Sequence, residues 1–223
     1  GHVYTQALSE SGLQYAIANS DQVSLNIRIT TKNRPISPSD YSRLRSSVEK
    51  AIDKDIQFLL RGIHRIGRTQ PNIALITNKD DVMSFFGGPA GRPFFLTDFN
   101  EHVNLVKGEW PQTNLVQNSS DTHLETVISP DISKLMHLNV GDTVFLMPYK
   151  GDSKELISVK IVGLVEPIDK TEEYWMGTPS YFAIQSANDK PVIPLYIPED
   201  HFLNILGLNY PNMVGDYEWL IFV

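Results

Sequence analysis

The side chains that could do chemistry are spread thinly along this sequence. It contains six histidines, and none has the His-x-x-x-His or His-Glu-x-x-His spacing that places metal ligands on one face of a helix. The six are His2, His64, His102, His123, His137 and His201. His123 and His137 flank a predicted short helix and could approach each other, but isolated histidines in turns are more often surface residues. The spacing therefore predicts no metal site.

Acidic and glycine-rich segments also lack the patterns of known catalytic sites. Paired acids occur at Asp80-Asp81, Glu172-Glu173 and Glu199-Asp200, where a loop or a first helical turn usually leaves them solvated or capping. Gly87-Gly88-x-x-Gly91 lacks the helix and the lysine that complete a phosphate-binding loop. No Gly-x-Ser-x-Gly motif and no dinucleotide-binding motif is present. We therefore expect a chain that is not an enzyme and that uses no cofactor.

One aromatic group is a candidate for contact with a ligand. Tyr174, Trp175 and Tyr181 lie near a Gly-Thr-Pro turn and could line a groove for a sugar or a peptide. The alternative is that they pack in the core or between two subdomains. Trp110, in a Gly-Glu-Trp-Pro element, is expected to be a core residue.

A second aromatic group is a candidate for contact with a partner. Phe85, Phe86, Phe94 and Phe95 flank the segment from Gly87 to Pro93, whose glycines and prolines predict a loop. The loop is either a crossover anchored in the core by its phenylalanines or an exposed aromatic tip. Exposed aromatic residues tend to mark contact surfaces.

The bulk composition excludes several classes of function. The chain has 223 residues, enough for a real core in one domain or two small ones, and a formal net charge of −7. The charge argues against binding nucleic acid or anionic lipid, because both need clustered Lys and Arg. The absence of cysteine excludes disulfides, thiol catalysis and Cys-type zinc sites. The chain starts with Gly1-His2 and stops within a predicted strand, so we expect a piece of a larger protein.

The clearest pattern of elements runs from Glu125 to Pro167. A strand ends at Ile128, and Ser129-Pro130 opens a short helix with serine as N-cap and proline in the first position. The turn Asn139-Val140-Gly141-Asp142 follows, with Gly141 free to take a positive φ. Alternating apolar residues then predict two strands. These residues are Val144 and Leu146, followed by Ile157, Val159 and Ile161.

The N-terminal half predicts a strand, a helix and a second strand. Apolar residues alternate from Val23 to Ile29, which predicts a strand over Gln22–Thr31. Ser37 and Asp40 form a capping box, and apolar residues at steps of three and four carry the helix to about Leu60. The second strand covers Asn72–Thr77.

The pattern is weaker after Pro167. We expect a strand around Tyr181–Ile184, a short helix that begins at Pro198 and is closed by Gly207, and a last strand over Tyr217–Val223. Two further segments are predicted to be a polar loop and a hairpin turn: Asn114–His123 and Lys150–Ser153.

Four segments together resemble one protein family. They are FNEHVNLVKGEWP from Phe99, ETVIS from Glu125, LNVGDTV from Leu138 and VKIVGLVEP from Val159. The sequence is similar to the extracytoplasmic core domain of FtsX-like ABC-transporter permeases of the MacB type. The resemblance extends over roughly residues 23–223 and is strongest between residues 99 and 167.

The resemblance implies an α+β fold with two parts. Residues 1–95 and 168–223 would form a split, porter-like subdomain with a helix on a sheet. Residues 96–167 would form an inserted β-rich subdomain, which the family calls Sabre. The family has a further helix and strand before its second transmembrane helix, so the porter-like part of this chain could be incomplete.

The resemblance also implies a function and partners. The domain would lie between the first two transmembrane helices of a permease, on the extracytoplasmic face of a bacterial cell membrane. It would couple ATP hydrolysis by a cytoplasmic subunit to substrate export or to an extracytoplasmic partner. Contacts are expected with the parent's transmembrane helices and with a permease dimer or an accessory protein, but not with nucleic acid.

Two other interpretations remain open. The chain could be a free-standing extracellular module that binds a ligand in a groove between the subdomains. An unrecognised hydrolase is the third possibility, and the absence of a nucleophile–base pattern disfavours it.

Overall fold

The computed structural model describes residues 25–71, 73–80, 87–112, 123–149, 156–176 and 179–223. Several predictions concern residues outside these ranges: the start of the first strand, the pair Phe85 and Phe86, most of the loop at Asn114–His123, and the hairpin turn at Lys150–Ser153. Within the described ranges, none of the helices combines the length and apolar character that crossing a membrane requires.

The fold is α+β, as predicted from the sequence. The strands are β1 Ile27–Pro35, β2 Gly62–Thr69, β3 Ile73–Ile76, β4 Ala90–Leu96, β5 Val103–Gly108, β6 His123–Ile128, β7 Thr143–Met147, β8 Ile157–Pro167, β9 Gln185–Ala187, β10 Lys190–Tyr196 and β11 Val214–Phe222. The helices are α1 Pro38–Ile56, α2 Pro130–Met136 and α3, which joins Glu199–His201, a π-helical turn at Phe202–Leu206 and Gly207–Asn209. Short 3-10 turns lie at Gln57–Leu59, Phe99–Glu101, Glu173–Trp175 and Pro179–Tyr181.

The eleven strands of the described residues belong to one mixed sheet, and six of them close into a ring. The order β1-β11-β2 is antiparallel and continues into β4. From β4, pairing runs through β3, β7, β8, β6 and β10, and the parallel pair of β10 with β4 closes the ring. The predicted strands around residues 22–31 and 72–77 therefore share one sheet. The predicted boundary between two subdomains at residues 96 and 167 stays a prediction, because one continuous sheet contains strands from both parts.

Strand β4 joins the ring to the β1-β11-β2 sheet. One of its edges pairs with β10, while the other pairs with β3 near Gly91 and with β2 near Phe95. A Cβ on Gly91 would meet side-chain atoms of Leu146 at 2.5 Å and of Leu195 and Leu75 at 3.2 Å. These leucines come from three strands of the ring, so Gly91 faces its filled interior.

The main core lies between the sheet and α1 and continues into the ring. Tyr41 and Ile52 of α1 are buried in it, and Leu44, Val48 and Ile56 pack against it. This is the apolar face that the spacing predicts. The predicted N-cap is also confirmed, because the Ser37 hydroxyl accepts a hydrogen bond from the backbone N–H of Asp40 at 3.3 Å.

A second core covers the opposite face of the sheet. Its buried members come from β2, β4, β5, β6, β8 and β11, from the 3-10 turn at Phe99–Glu101 and from the segment that follows β8. They include Ile66, Phe94, Val162, Tyr174 and Leu220. The sheet is therefore covered on both faces over much of its area.

The central stretch has the elements that the sequence predicts. The Ser129 hydroxyl caps α2 by accepting from the backbone N–H of Ile132 at 3.1 Å. Gly141 has a φ of +101°, as the predicted turn requires. Asp142 closes this turn, since its carboxylate accepts from the backbone N–H of Asn139 at 2.7 Å.

The sequence analysis missed one strand, and several predicted elements lie elsewhere or have other ends. The segment Gly62–Thr69 is the central strand β2, although its glycines and basic residues gave no strand signal. The strand predicted around Tyr181–Ile184 lies later, as β9 and β10. Gly207 does not close α3, because the helix continues through it with a φ of −66°. The first strand extends beyond its predicted end to Pro35, because it pairs with β11 beyond the segment in which apolar residues alternate.

Candidate functional site

The structure brings Tyr174, Trp175 and Tyr181 together, as the sequence predicts, but it buries them. The ring centroids of Tyr174 and Trp175 lie 4.7 Å apart, and those of Trp175 and Tyr181 lie 6.1 Å apart. All three are less than 10% exposed and belong to the second core. The prediction of an open groove is therefore wrong for these residues, because their rings pack on the sheet.

Phe94 and Phe95 are also core residues, on opposite faces of β4. Phe94 lies in the second core, 5.3 Å from the Tyr181 ring, and Phe95 lies in the main core, 5.2 Å from the Phe202 ring. The prediction of partner contact is wrong for this pair, because Ala90–Leu96 is a strand between two cores. Phe85 and Phe86 are not among the described residues.

Two histidines complete a polar cluster at the edge of the second core. His64 is on β2, and His102 directly follows the 3-10 turn at Phe99–Glu101. Their ring centroids are 6.0 Å apart. His64 Nδ1 lies 3.0 Å from Asp98 Oδ2, and His102 Nδ1 lies 2.7 Å from Glu172 Oε1. We call His64, His102, Asp98, Glu172 and Tyr174 the histidine cluster.

Local backbone structure sets the positions of this cluster. Asp98 has a φ of +63°, in the left-handed region that aspartate tolerates better than most residues. The Tyr174 hydroxyl donates to the backbone carbonyl of Thr97 at 2.6 Å, and the Trp175 indole donates to that of Asp169 at 2.8 Å. The segment after β8 is thereby fastened to the end of β4.

Burial controls the protonation of the cluster. The pKa of His64 is lowered because burial outweighs the attraction of the Asp98 carboxylate. Burial also raises the pKa of the Tyr174 hydroxyl well above its usual range. The Tyr174 ring stacks on His102, with centroids 3.5 Å apart and planes 9° apart. The neutral imidazole of His64 and the neutral phenol of Tyr174 are the forms that suit this packing.

The histidine cluster was missed in the sequence because its members are separated by up to 110 residues. In the sequence, each member is only a histidine or an acid near the end of a strand or beside an aromatic pair. Such positions are common and do not identify a site. The cluster could supply two carboxylate-oriented bases. No group of three or more metal-ligating side chains among the described residues is arranged to hold a metal ion.

A separate contact joins His123 to a possible nucleophile. His123 Nδ1 lies 3.0 Å from Ser158 Oγ, across the pair of β6 and β8. A serine nucleophile also needs an acid that orients the histidine. No carboxylate is hydrogen-bonded to His123 within the described ranges, so this pair alone does not form a triad.

A second polar network ties α1, β2 and α3 together. Arg65 Nε donates to the Tyr41 hydroxyl at 3.0 Å, and that hydroxyl donates to Glu199 Oε1 at 2.8 Å. Arg65 also contacts Glu199 Oε2 at 3.0 Å. Burial raises the pKa of Tyr41, which keeps its hydroxyl protonated as a donor. This network fixes both helices on the sheet.

Comparisons with solved structures show similarity, whereas comparisons with protein families and curated proteins do not. No family model and no curated protein matches the chain. A crystal structure from Porphyromonas gingivalis, described provisionally as a permease domain, is similar with a TM-score of 0.38 and 12% sequence identity. The match covers 89% of this chain and 74% of the other.

Proposed function

We propose that this chain is a non-catalytic extracytoplasmic domain of an FtsX-like, MacB-type ABC permease. It couples ATP hydrolysis in the cytoplasm to export of a substrate or to action on an extracytoplasmic partner. The sequence motifs in residues 99–167 support the family. The packing of every candidate aromatic residue that is described supports a mechanical role over ligand binding.

The observation that carries the proposal is the position of the two ends of the described body. Ile27 of β1 pairs with Ile221 of β11, and the backbone N–H of Val223 contacts Asn26 Oδ1 at 3.4 Å. A domain inserted between two successive membrane helices needs its entry and exit side by side. Movement of either connection would then act on the same pair of strands.

The structure explains why the Gly-Glu-Trp-Pro element has its residue types. Gly108 of the Gly-Glu-Trp-Pro element has a φ of +82°, and a Cβ there would lie 2.1 Å from the carbonyl oxygen of Val162. The next residue, Glu109, donates its backbone N–H to the same oxygen at 2.9 Å. Trp110 then packs against the second core. The element needs glycine because the chain crosses β8 at close range.

The proposed coupling role needs a rigid domain, and strand pairing, core packing and hydrogen bonds link the described elements. The sheet extends from β1 to β9 without interruption, and the main core extends from α1 into the ring. The Arg65 network adds charged hydrogen bonds between the helices and the sheet. Force applied at β1 and β11 would reach the ring through β2 and β4.

Cysteine labelling of the parent protein in intact cells tests this location. The chain contains no cysteine, so Leu135→Cys on the exposed side of α2 gives one label site in a parent whose other cysteines are replaced. Leu135 is 67% exposed. A maleimide that cannot cross the cytoplasmic membrane should label it as fully in intact cells as after permeabilisation. Labelling only after permeabilisation would overturn the proposal.

The absence of catalysis has its own test. The purified chain should hydrolyse no ATP, because nucleotide is expected to bind a separate cytoplasmic subunit. ATPase activity that stays with the chain through repurification would contradict the permease-domain assignment.

The alternative of a ligand-binding module loses support from the structure, since Tyr174, Trp175 and Tyr181 are closed off from solvent.

A further inference from the structure

The segment after β8, residues 168–176, is attached to the rest of the molecule along its length. At its start, the backbone N–H of Ile168 donates to the carbonyl of His102 at 3.0 Å. Further along, Tyr174 and Trp175 are buried in the second core. The segment therefore runs from a strand of the ring to the face of the sheet that carries this core.

Glu173 of this segment connects it to both ends of the described body. Its carboxylate accepts two hydrogen bonds from the Arg61 guanidinium group, at 2.7 Å and 3.2 Å. It also accepts from the side-chain amide of Asn26 at 2.8 Å. Arg61 Nε in turn donates to the backbone carbonyl of Val223 at 2.9 Å. One carboxylate thus reaches the first strand directly and the last strand through Arg61.

These contacts form a closed network. The side chain of Asn26 donates to Glu173 with its nitrogen and accepts from the backbone N–H of Val223 with its oxygen, at 3.4 Å. The backbone N–H of Arg61 donates to the carbonyl of Phe222 at 2.8 Å. We call Asn26, Arg61, Glu173 and Val223 the end network. It joins four segments that are distant in the sequence.

The charge of Glu173 is maintained by its partners. Hydrogen bonds from Arg61 and Asn26 hold the pKa of this carboxyl below its usual range, so it is ionised at neutral pH. The pair is partly exposed, with Arg61 at 44% and Glu173 at 27%, and an exposed ion pair contributes little to stability. A bidentate contact does fix the relative positions of its two groups. The end network is therefore suited to positioning.

A displacement of Glu173 would also move the contacts beside it. The preceding residue, Glu172, lies 2.7 Å from His102 Nδ1. The next residue, Tyr174, donates its hydroxyl to the carbonyl of Thr97 at 2.6 Å. These neighbours hold the end of β4 and the start of β5, so the end network is linked to both strands through one short turn.

We propose that Glu173 is a positioning residue that couples the two ends of the described body to the segment after β8 and, through this segment, to the ring. The inference rests on the proposed coupling function, because it names the residue through which movement of either connection reaches β8. This route adds to the one that passes through the strand pairs of β2 and β4.

NMR spectra of the purified chain test this coupling in the folded state. One reporter is the indole N–H of Trp175, which donates to the carbonyl of Asp169, and the other is the backbone N–H of Ile168. Asn26→Ala perturbs the end network at the first strand. We expect it to shift both signals in the wild-type chain. In a Glu173→Ala background, the same substitution should leave both signals in place.

A matched background controls for the loss of a carboxylate. Glu166→Ala removes the same group from an exposed position on β8, and Asn26→Ala should still shift both signals there. Equal shifts in the Glu173→Ala background would mean that the influence travels by another route, such as Phe222, and would overturn the proposal. An absence of shifts in the wild-type chain would overturn it as well. A response at Trp175 without one at Ile168 would refute the link to the ring.

This result is independent of where the domain lies in the cell. Loss of the coupling in the purified chain would remove the role of Glu173 and leave the labelling test of Leu135→Cys unaffected. Labelling only after permeabilisation would overturn the permease assignment, whereas the coupling within the chain would stand.

Discussion

Phe95 fills the space between α1 and the sheet, where its ring centroid lies 5.9 Å from Tyr41 and 5.2 Å from Phe202. It is fully buried. Phe95→Ala should lower the free energy of unfolding by about 3–5 kcal/mol, because it removes buried area and leaves a cavity. Urea denaturation of the purified chain measures this loss.

The matched control for Phe95 is Phe58, which is 56% exposed on the 3-10 turn after α1. Phe58→Ala removes the same atoms from a site that is mostly in water. It should change the unfolding free energy by no more than about 0.5 kcal/mol, as most surface substitutions do. If the two variants lose equal stability, the assignment of Phe95 to the main core is wrong.

His64 gives the chain a defined dependence of stability on pH. Its pKa is lowered from the ordinary value of 6.5 by burial, while Asp98 and Glu101 oppose this shift and His102 adds to it. The unfolded chain therefore takes up this proton first as the pH falls. The contribution of His64 is fully present above pH 6.5 and is lost as the pH falls through the folded pKa.

His64→Gln should consequently lose less unfolding free energy than the wild type between about pH 8 and about pH 5, a range that spans histidine titration. The control is His137→Asn, at an exposed position with a φ of +53° that asparagine tolerates. This control should keep the wild-type pH dependence. A His64 variant with an unchanged pH dependence would refute the role of burial.

At the level of elements, β4 is the strand on which both parts of the sheet depend. Gly91→Ala would place a methyl group 2.5 Å from Leu146 inside the ring, and overpacking of this kind costs about 1–3 kcal/mol. Shortening Gly87–Gly91 should also unfold the chain, because it removes the start of β4. Thermal unfolding measures both losses.

Gly62→Ala is the control for this strand prediction. Gly62 begins β2, and a Cβ there would meet nothing within 4 Å. The variant should match the wild type in melting temperature. A Gly91→Ala variant as stable as Gly62→Ala would mean that the ring interior has room, contrary to the packing of Leu75 and Leu195 around it.

Elements with local signals could be predicted from the sequence. Serine caps fixed the starts of α1 and α2, and period-two alternation predicted β7 and β8. In contrast, β2 carries His64 and Arg65 within a glycine-bounded segment, and β4 carries Gly91 and Pro93. Their pairing depends on strands far away in the sequence, and no local pattern reports such pairing.

The candidate site was predictable only in part, for the same reason. The aromatic pair Tyr174-Trp175 was visible as a cluster, but its burial depends on β2, β4 and β11, which the sequence does not bring together by any short motif. His64 and His102 also gave no signal, because each is isolated in its own segment of the sequence.

The whole molecule combines a continuous sheet with a main core that includes α1, the ring interior and β11. The sequence division at residues 96 and 167 predicts two subdomains, yet β4 and β10 of the porter-like part supply two strands of the ring. Under the proposed coupling function, movement would pass between the two parts through the strand pairs that they share.

Native-state hydrogen exchange tests this cooperativity. We expect the amides of β7 and β8 to exchange with the same free energy as those of β1 and β11, because opening either group requires global unfolding. Added urea should lower the exchange free energies of both groups of amides with the same dependence on urea concentration. Phe95→Ala should lower both free energies by the same amount. If β7 and β8 exchange at a lower free energy that Phe95→Ala does not change, the inserted part unfolds on its own.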